Sequence, residues 1–357
     1  QGSKVFVANT DGTVTTFIPA SVFSSVSDPT SVSLPAGLLP QFLYSADSSN
    51  MYVLATNNGA FTGCPDSAIV AMNAASDLVT QTACIGPDPG ASRRSLTETP
   101  DGRKLYAVNG DGTISSINTV DFSANPPISP AVLNPALTTP VSVVASLDSS
   151  QVFVLDASGL IWTIDTFTDQ PAAVSATPAG AGANFMYLER THNRLYVAST
   201  AANTVSILNA AIQVPQAPTL IGTPLALPAG STPSMITALP NGREVYVLST
   251  SATNTPVLTA LNPASETVTN IVALPAPTSN PAAVSLCQAS RFPFSVAAAA
   301  NSSRVYVTNC YAGSTTILDA TTNVRILNLN SPTSAYAPVG SQTFPPPQNP
   351  VWVVAGP

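Results

Sequence analysis

Charge is what this chain has least of. Asp, Glu, Lys and Arg make up 8% of its 357 residues, against about 25% in an average soluble protein. There are two lysines, Lys4 and Lys104, and one histidine, His192. So few cations, at a formal net charge of −7, exclude binding to the phosphate backbone of nucleic acids and polybasic docking on anionic membranes. A single histidine excludes multi-histidine zinc or copper centres. It also leaves one base for a Ser-His-Asp triad, and no Gly-x-Ser-x-Gly elbow accompanies it. No apolar run reaches the ~18–20 residues that span a bilayer; the richest, residues 292–300, is broken by Pro293. No helical periodicity and no signal peptide are evident. Gln1-Gly2-Ser3 leads straight into a strand, so the chain is expected to be trimmed by processing or cloning. Apolar residues nevertheless reach 45%, too many for disorder.

What is present is a phrase repeated seven times: a basic or polar residue, a branched apolar residue, an aromatic, and two mostly apolar residues. The copies start at Lys4, Asn50, Lys104, Gln151, Arg194, Glu244 and Arg304. Their spacings of 46, 54, 47, 43, 50 and 60 residues signal stacked supersecondary units. An apolar stretch opened by proline precedes many copies, as at Pro40, Pro140 and Pro233, and polar turns such as Asp101-Gly102 and Asn241-Gly242 join the two. Asx-Gly pairs supply the positive φ of tight hairpins. A third stretch alternates apolar and hydroxyl residues, as in residues 12–18 and 112–117, the mark of a half-buried strand. A fourth, weaker stretch follows.

Four antiparallel strands repeated seven times describe an all-β, seven-bladed β-propeller. The chain opens on a second-strand phrase and closes on Pro350-Val351-Trp352-Val353-Val354-Ala355, which has first-strand character. The C-terminal strand is therefore expected to complete the N-terminal blade and close the ring. One domain over residues 1–357 follows, with the first blade shared by residues 1–35 and 350–357.

Tyr306-Val307-Thr308-Asn309, together with residues 240–247 and 100–106, resembles the YVTN-type β-propeller repeat family. The likeness runs over nearly the whole chain. It implies a bacterial or archaeal protein that is periplasmic, secreted or at the cell surface, similar to surface-layer-type and YncE-like proteins. A neighbouring seven-bladed family contains lactonases acting on 6-phosphogluconolactone. Asn50, Gln151 and Glu244 replace the usual basic residue, and Thr191-His192-Asn193 replaces the Asp-Gly turn. The motif is thus structural punctuation, and fold likeness alone does not carry function.

First strands line a propeller's axis, so charges near them are the candidate ligand site: Arg93, Arg94, Glu98, Glu189, Arg190 and Arg291. They either bind an anionic small molecule or pair with carboxylates at the loop mouths. Asp11, Asp111 and Asp156 fall at second-to-third-strand turns, where oxygen ligands for calcium compete with plain hairpin chemistry. Tyr44, Tyr52, Tyr106, Tyr196, Tyr246 and Tyr306 read as inter-blade packing. Blade geometry puts Cys64 with Cys84, and Cys287 with Cys310, on one face as two disulfides, each worth roughly 3 kcal/mol in the chain-entropy picture. The reading is an exported, monomeric binding or scaffold propeller with no cofactor, whose partner is a protein or a small molecule. The alternatives are a lactonase-like hydrolase and a surface-layer or adhesion fragment.

Overall fold

The computed structural model describes residues 4–18, 30–45, 49–88, 94–129, 139–172, 176–210, 215–251, 255–274, 287, 293–330, 342–343 and 350–355. Seven sheets form a ring, antiparallel throughout except for the two-residue strand Gln342–Thr343, which pairs parallel to Val324–Asn330 at the outer edge of blade 7. Their second strands are the seven copies of the phrase: Val5–Asn9, Asn50–Asn57, Lys104–Val108, Gln151–Asp156, Arg194–Ser199, Val245–Ser251 and Arg304–Asn309. Each pairs with a first strand nearer the axis: Pro350–Ala355, Leu38–Tyr44, Leu96–Glu98, Pro140–Ala145, Ala183–Glu189, Ser231–Ala238 and Phe294–Ala298. Third strands lie outside them, Thr13–Phe17 in blade 1 through Ser314–Asp319 in blade 7.

The ring closes as expected. Val5–Asn9 pairs antiparallel with Pro350–Ala355, so blade 1 is built from both ends of the described chain. Residues 1–3, 19–29 and 356–357 of that blade lie outside the described residues. Outer strands vary more. They are continuous in blades 1, 2, 6 and 7, and broken into two-residue pieces in blades 4 and 5. In blade 3 the outer strand is reduced to the bridges Ile114–Ile128 and Ile117–Ala124.

A first strand has no sheet neighbour on its axial side, so its backbone groups need other partners. The adjacent blade supplies them at every seam. Ser95 Oγ accepts the Val143 N–H (2.7 Å), Ser142 Oγ the Met186 N–H (3.2 Å) and Ser295 Oγ the Val353 N–H (2.9 Å). Thr237 Oγ1 accepts the Ala298 N–H (3.3 Å). The other three seams use Trp352 Nε1–H to Leu43 O (3.0 Å), Tyr44 O–H to Glu98 O (3.4 Å) and Asn184 Nδ2–H to Pro233 O (3.0 Å). In five blades a β-bulge lies at the start of this strand, with Gln41, Val141, Asn184, Ser234 or Val351 as the extra residue. Proline precedes the bulge in four of them, at Pro40, Pro140, Pro233 and Pro350. The position beside a bulge, where the ladder is already interrupted, is where a missing N–H costs least.

A second interlock uses the first residue of the phrase. Between third and fourth strands runs a six-residue turn opened by Asn or Asp: Asn73, Asn118, Asp165, Asn262 or Asp319. Its side-chain oxygen accepts the N–H two residues on. The fifth residue has positive φ: Asp77, Phe122, Asp169, Glu266 or Asn323. Its side chain meets the phrase of the preceding blade. Lys4 Nζ bonds Asp77 Oδ1 (2.6 Å) and Lys104 Nζ bonds Asp169 Oδ2 (2.7 Å). Tyr106 O–H donates to the other Asp169 oxygen (2.6 Å). Both lysines of the chain are spent here.

Where the turn residue changes, the phrase changes with it. Phe122 meets a phrase opened by Asn50 in place of a cation, and it stacks on Tyr52 of that phrase, with ring centroids 6.3 Å apart. Asn323 faces Glu244 and Tyr246, whose Oη lies 2.8 Å from Asn323 Oδ1. At the seam of blades 5 and 6 the fit fails. Glu266 holds the turn position, and Arg194 Nε and Tyr196 Oη are buried without a hydrogen bond. Asp fits this place at Asp77 and Asp169, and Glu is one methylene longer. Glu266→Asp is therefore expected to complete the interlock and raise stability by about 1 kcal/mol. Urea unfolding checks it; an unchanged or lower midpoint contradicts the account.

The seam tyrosines also make a pH prediction. Burial raises the phenols of Tyr106, Tyr196 and Tyr246 far above their usual range and pushes Tyr306 up to about 12. Unfolded phenols ionise near pH 10, so above that the unfolded chain releases protons that the folded one keeps. Stability is thus full below about pH 10 and falls as pH rises beyond it. Tyrosinate absorbance followed against pH should show a step coinciding with loss of β-sheet circular dichroism. Gradual ionisation of a folded protein would contradict this.

Candidate functional site

The upper face carries the second-to-third-strand turns and the links between blades, and the lower face carries the other hairpin turns. Both expected disulfides are formed on the upper face, Cys64–Cys84 in blade 2 and Cys287–Cys310 in blade 7. These blades flank blade 1, whose closure rests on non-covalent strand pairing.

Beneath that face the axis is filled. Trp352 of blade 1 lies against Phe42 of blade 2, centroids 4.0 Å apart, and against Phe185 of blade 5, 6.3 Å away. Blades 1 and 5 are not neighbours, so their rings meet across the axis. All three side chains are buried. They occupy the strand position that serine holds at Ser95, Ser142 and Ser295. The bulge after residues 40, 183 and 350 sets which side chain takes that place.

The candidate ligand residues are dispersed. Arg94 is 1% exposed and lies in the seam of blades 2 and 3. Its Nε–H donates to Val108 O (2.6 Å), Nη1 to Ser67 Oγ (2.7 Å), and Nη2 to Asn109 Oδ1 (2.8 Å) and Gly86 O (3.1 Å). Gly86 leaves room for this node, because a Cβ there would sit 2.5 Å from Asn109 Nδ2. Burial lowers the Arg94 pKa to about 10, partly offset by Asp111 and Asp66, so the group stays cationic at neutral pH.

Glu98 is at the far end of the same first strand, about 13 Å along it at 3.3 Å per residue. It is buried, and Tyr52 O–H donates to its Oε1 (3.2 Å). Glu189 of blade 5 caps its own lower turn, accepting the N–H groups of Thr191 (2.7 Å) and His192 (2.9 Å), with His192 Nδ1 3.0 Å away. Arg190 is exposed on the lower face. Arg93 and Arg291 lie outside the described residues. The four described positions thus fall in two non-adjacent blades, with Arg94 towards the upper face and Glu98, Glu189 and Arg190 towards the lower one.

The turn aspartates are engaged locally. Asp11 and Asp111 accept from Thr13 and Thr113 at 2.6–3.0 Å, and Asp156 accepts the Thr139 and Ser158 N–H groups. Among the described residues no cluster of metal-ligating side chains forms, and no helix is long and apolar enough to cross a membrane. The sequence showed Arg94 only as a charge beside a first strand. Its partners are four backbone or neutral side-chain groups brought from two blades, and spacing gives no sign of them.

Replacing Arg94 with Met would strand the acceptors Ser67, Gly86, Val108 and Asn109. Unfolding in urea should show a loss of about 3 kcal/mol, with Arg94→Lys recovering part of it. Full stability in the Arg94→Met protein would show that this side chain is free for a ligand.

No family model and no curated protein matches the chain. Among solved structures it is similar to a putative 6-phosphogluconolactonase from Bacteroides uniformis, with a TM-score of 0.67 at 13% identity over 99% of this chain and 98% of that one. It is also similar to hydrazine synthase of Kuenenia stuttgartiensis, with a TM-score of 0.55 at 14% identity over 79% and 76%. At such identities the likeness shows the fold alone, that of a seven-bladed β-propeller.

Proposed function

We propose that this chain is an exported, monomeric binding or scaffold propeller of the YVTN type. Its partner, a protein or a small molecule, is recognised by the loops of the disulfide-bearing face. The observation that carries the reading is the filled axis: Trp352, Phe42 and Phe185 occupy the place where a propeller would otherwise hold a ligand deep between its blades. Recognition is left to the rim, and the two disulfides brace that rim beside the closure blade. They also accord with a periplasmic or extracellular location.

The lactonase reading keeps one observation in its favour, the end-to-end fold likeness to a putative 6-phosphogluconolactonase. It needs arginine and carboxylate groups converging at one mouth, whereas Arg94 is bound up in a seam and Glu189 in a lower turn.

Two measurements separate these readings. Thiols trapped in acid from producing cells should show all four cysteines oxidised; free thiols at Cys64 and Cys84 would overturn export. Addition of 6-phosphogluconolactone should leave its spontaneous hydrolysis rate unchanged in a pH-stat. Acceleration that is lost in Glu98→Gln would establish the hydrolase instead.

A further inference from the structure

Two large apolar side chains stand nearly free in water on the lower face: Val120, 83% exposed, and Phe167, 93% exposed. A lone exposed apolar residue needs no explanation. These two occupy the same place, the third residue of the six-residue turn, in adjacent blades 3 and 4. The described counterparts in blades 2, 6 and 7 are Ala75, Ala264 and Thr321.

Neither turn is loose. Val120 N–H is held by Asn118 Oδ1 (3.0 Å) and Phe167 N–H by Asp165 Oδ1 (2.7 Å). The turns are also tied to each other through their neighbours. Thr119 N–H donates to Arg103 O (3.0 Å), Asp101 N–H to Ser149 Oγ (2.9 Å) and Thr166 N–H to Ser150 O (3.1 Å). Lys104 Nζ adds a bond to Thr166 O (2.7 Å). The two apolar side chains therefore project from one rigid platform, which lowers the ordering cost of binding.

The platform is acidic. Asp101, Asp121 and Asp148 are exposed and Asp165 half-buried, with Arg103 as the exposed cation beside them. Lys104 is taken up by Asp169. On blades 5 and 6 the cations Arg190, Arg194 and Arg243 are matched in number by Glu189, Glu244 and Glu266, whereas the turns of blades 3 and 4 carry an excess of negative charge.

We propose that the lower turns of blades 3 and 4 form a docking surface for a protein segment that carries apolar side chains beside lysine or arginine. Val120 and Phe167 provide the apolar anchors, and the surrounding aspartates select the charge. This surface lies opposite the disulfide-bearing face and does not depend on what that face binds.

The probe is a short fluorescein-labelled peptide alternating arginine and leucine, followed by anisotropy at low and physiological salt. A glutamate–leucine peptide and an arginine–serine peptide serve as controls. Binding is expected for the arginine–leucine peptide alone. Phe167→Ser should weaken it about tenfold, which is 1.4 kcal/mol. Asp121→Asn with Asp148→Asn should weaken it several-fold and flatten the salt dependence. Val324→Ser, at an exposed apolar site in blade 7, should change nothing. Thermal unfolding confirms that the variants fold. No binding, equal binding of the glutamate peptide, or indifference to Phe167→Ser overturns the proposal. So does a dimer in sedimentation velocity that Phe167→Ser dissolves, because the occupant would then be a second copy.

Discussion

The inner edge of seven sheets has to be satisfied without an eighth strand to pair with it. Each first strand turns a row of backbone N–H and C=O groups towards the axis, and the adjacent blade meets them mostly with side-chain oxygens. Ser95, Ser142, Thr237 and Ser295 do this as acceptors at four seams. This requirement accounts for much of the composition. A small hydroxyl satisfies a backbone group at close range without the desolvation cost of a buried ion. A chain built this way spends serine and threonine where another fold would spend salt bridges.

Charges that do occur inside the ring are matched to specific seams. Lys4 and Lys104 are opposed by Asp77 and Asp169, which a positive-φ turn presents from the next blade. Phe122 brings no charge, and the phrase it meets opens on Asn50. Asn323 brings an amide, and its opposite number is Glu244. The repeat tolerates any pair whose members suit each other and penalises a mismatch, as the unpaired Tyr196 hydroxyl shows. Arg94 follows the same logic from a different place: a loop residue folded into a seam because four acceptors of blades 2 and 3 converge there.

Much of the fold was legible in the residues because its signals are local. The phrase marks second strands, Asx-Gly marks hairpins, and a proline-led stretch at the C-terminus with no partner implied closure with Val5–Asn9. The cysteines could be paired because both members of each pair lie in one blade. The candidate site was less legible, because its geometry depends on two non-local effects. A one-residue bulge decides which first-strand side chain faces the axis, so Trp352, Phe42 and Phe185 read as ordinary strand residues until the register is known. Likewise Glu189 looked like an axial carboxylate by position alone, yet the strand ends at Glu189 and its carboxylate turns back to cap His192.

The economy of this scaffold bears on where recognition can reside. In a protein with abundant surface charge, one exposed phenylalanine or a few aspartates carry little information. Here most ions and aromatic rings of the described seams have a structural partner, and the axis is closed by its own rings. The third residue of each lower turn is exempt, because its backbone alone makes the turn and its side chain touches no seam. Substitution there costs the fold little, so the residue is free to follow selection on binding. Ala75, Ala264 and Thr321 show what the turn needs, which is almost nothing. Val120 and Phe167 exceed that need in two neighbouring blades, and burial of their exposed area against a partner is the remaining source of favourable free energy for them.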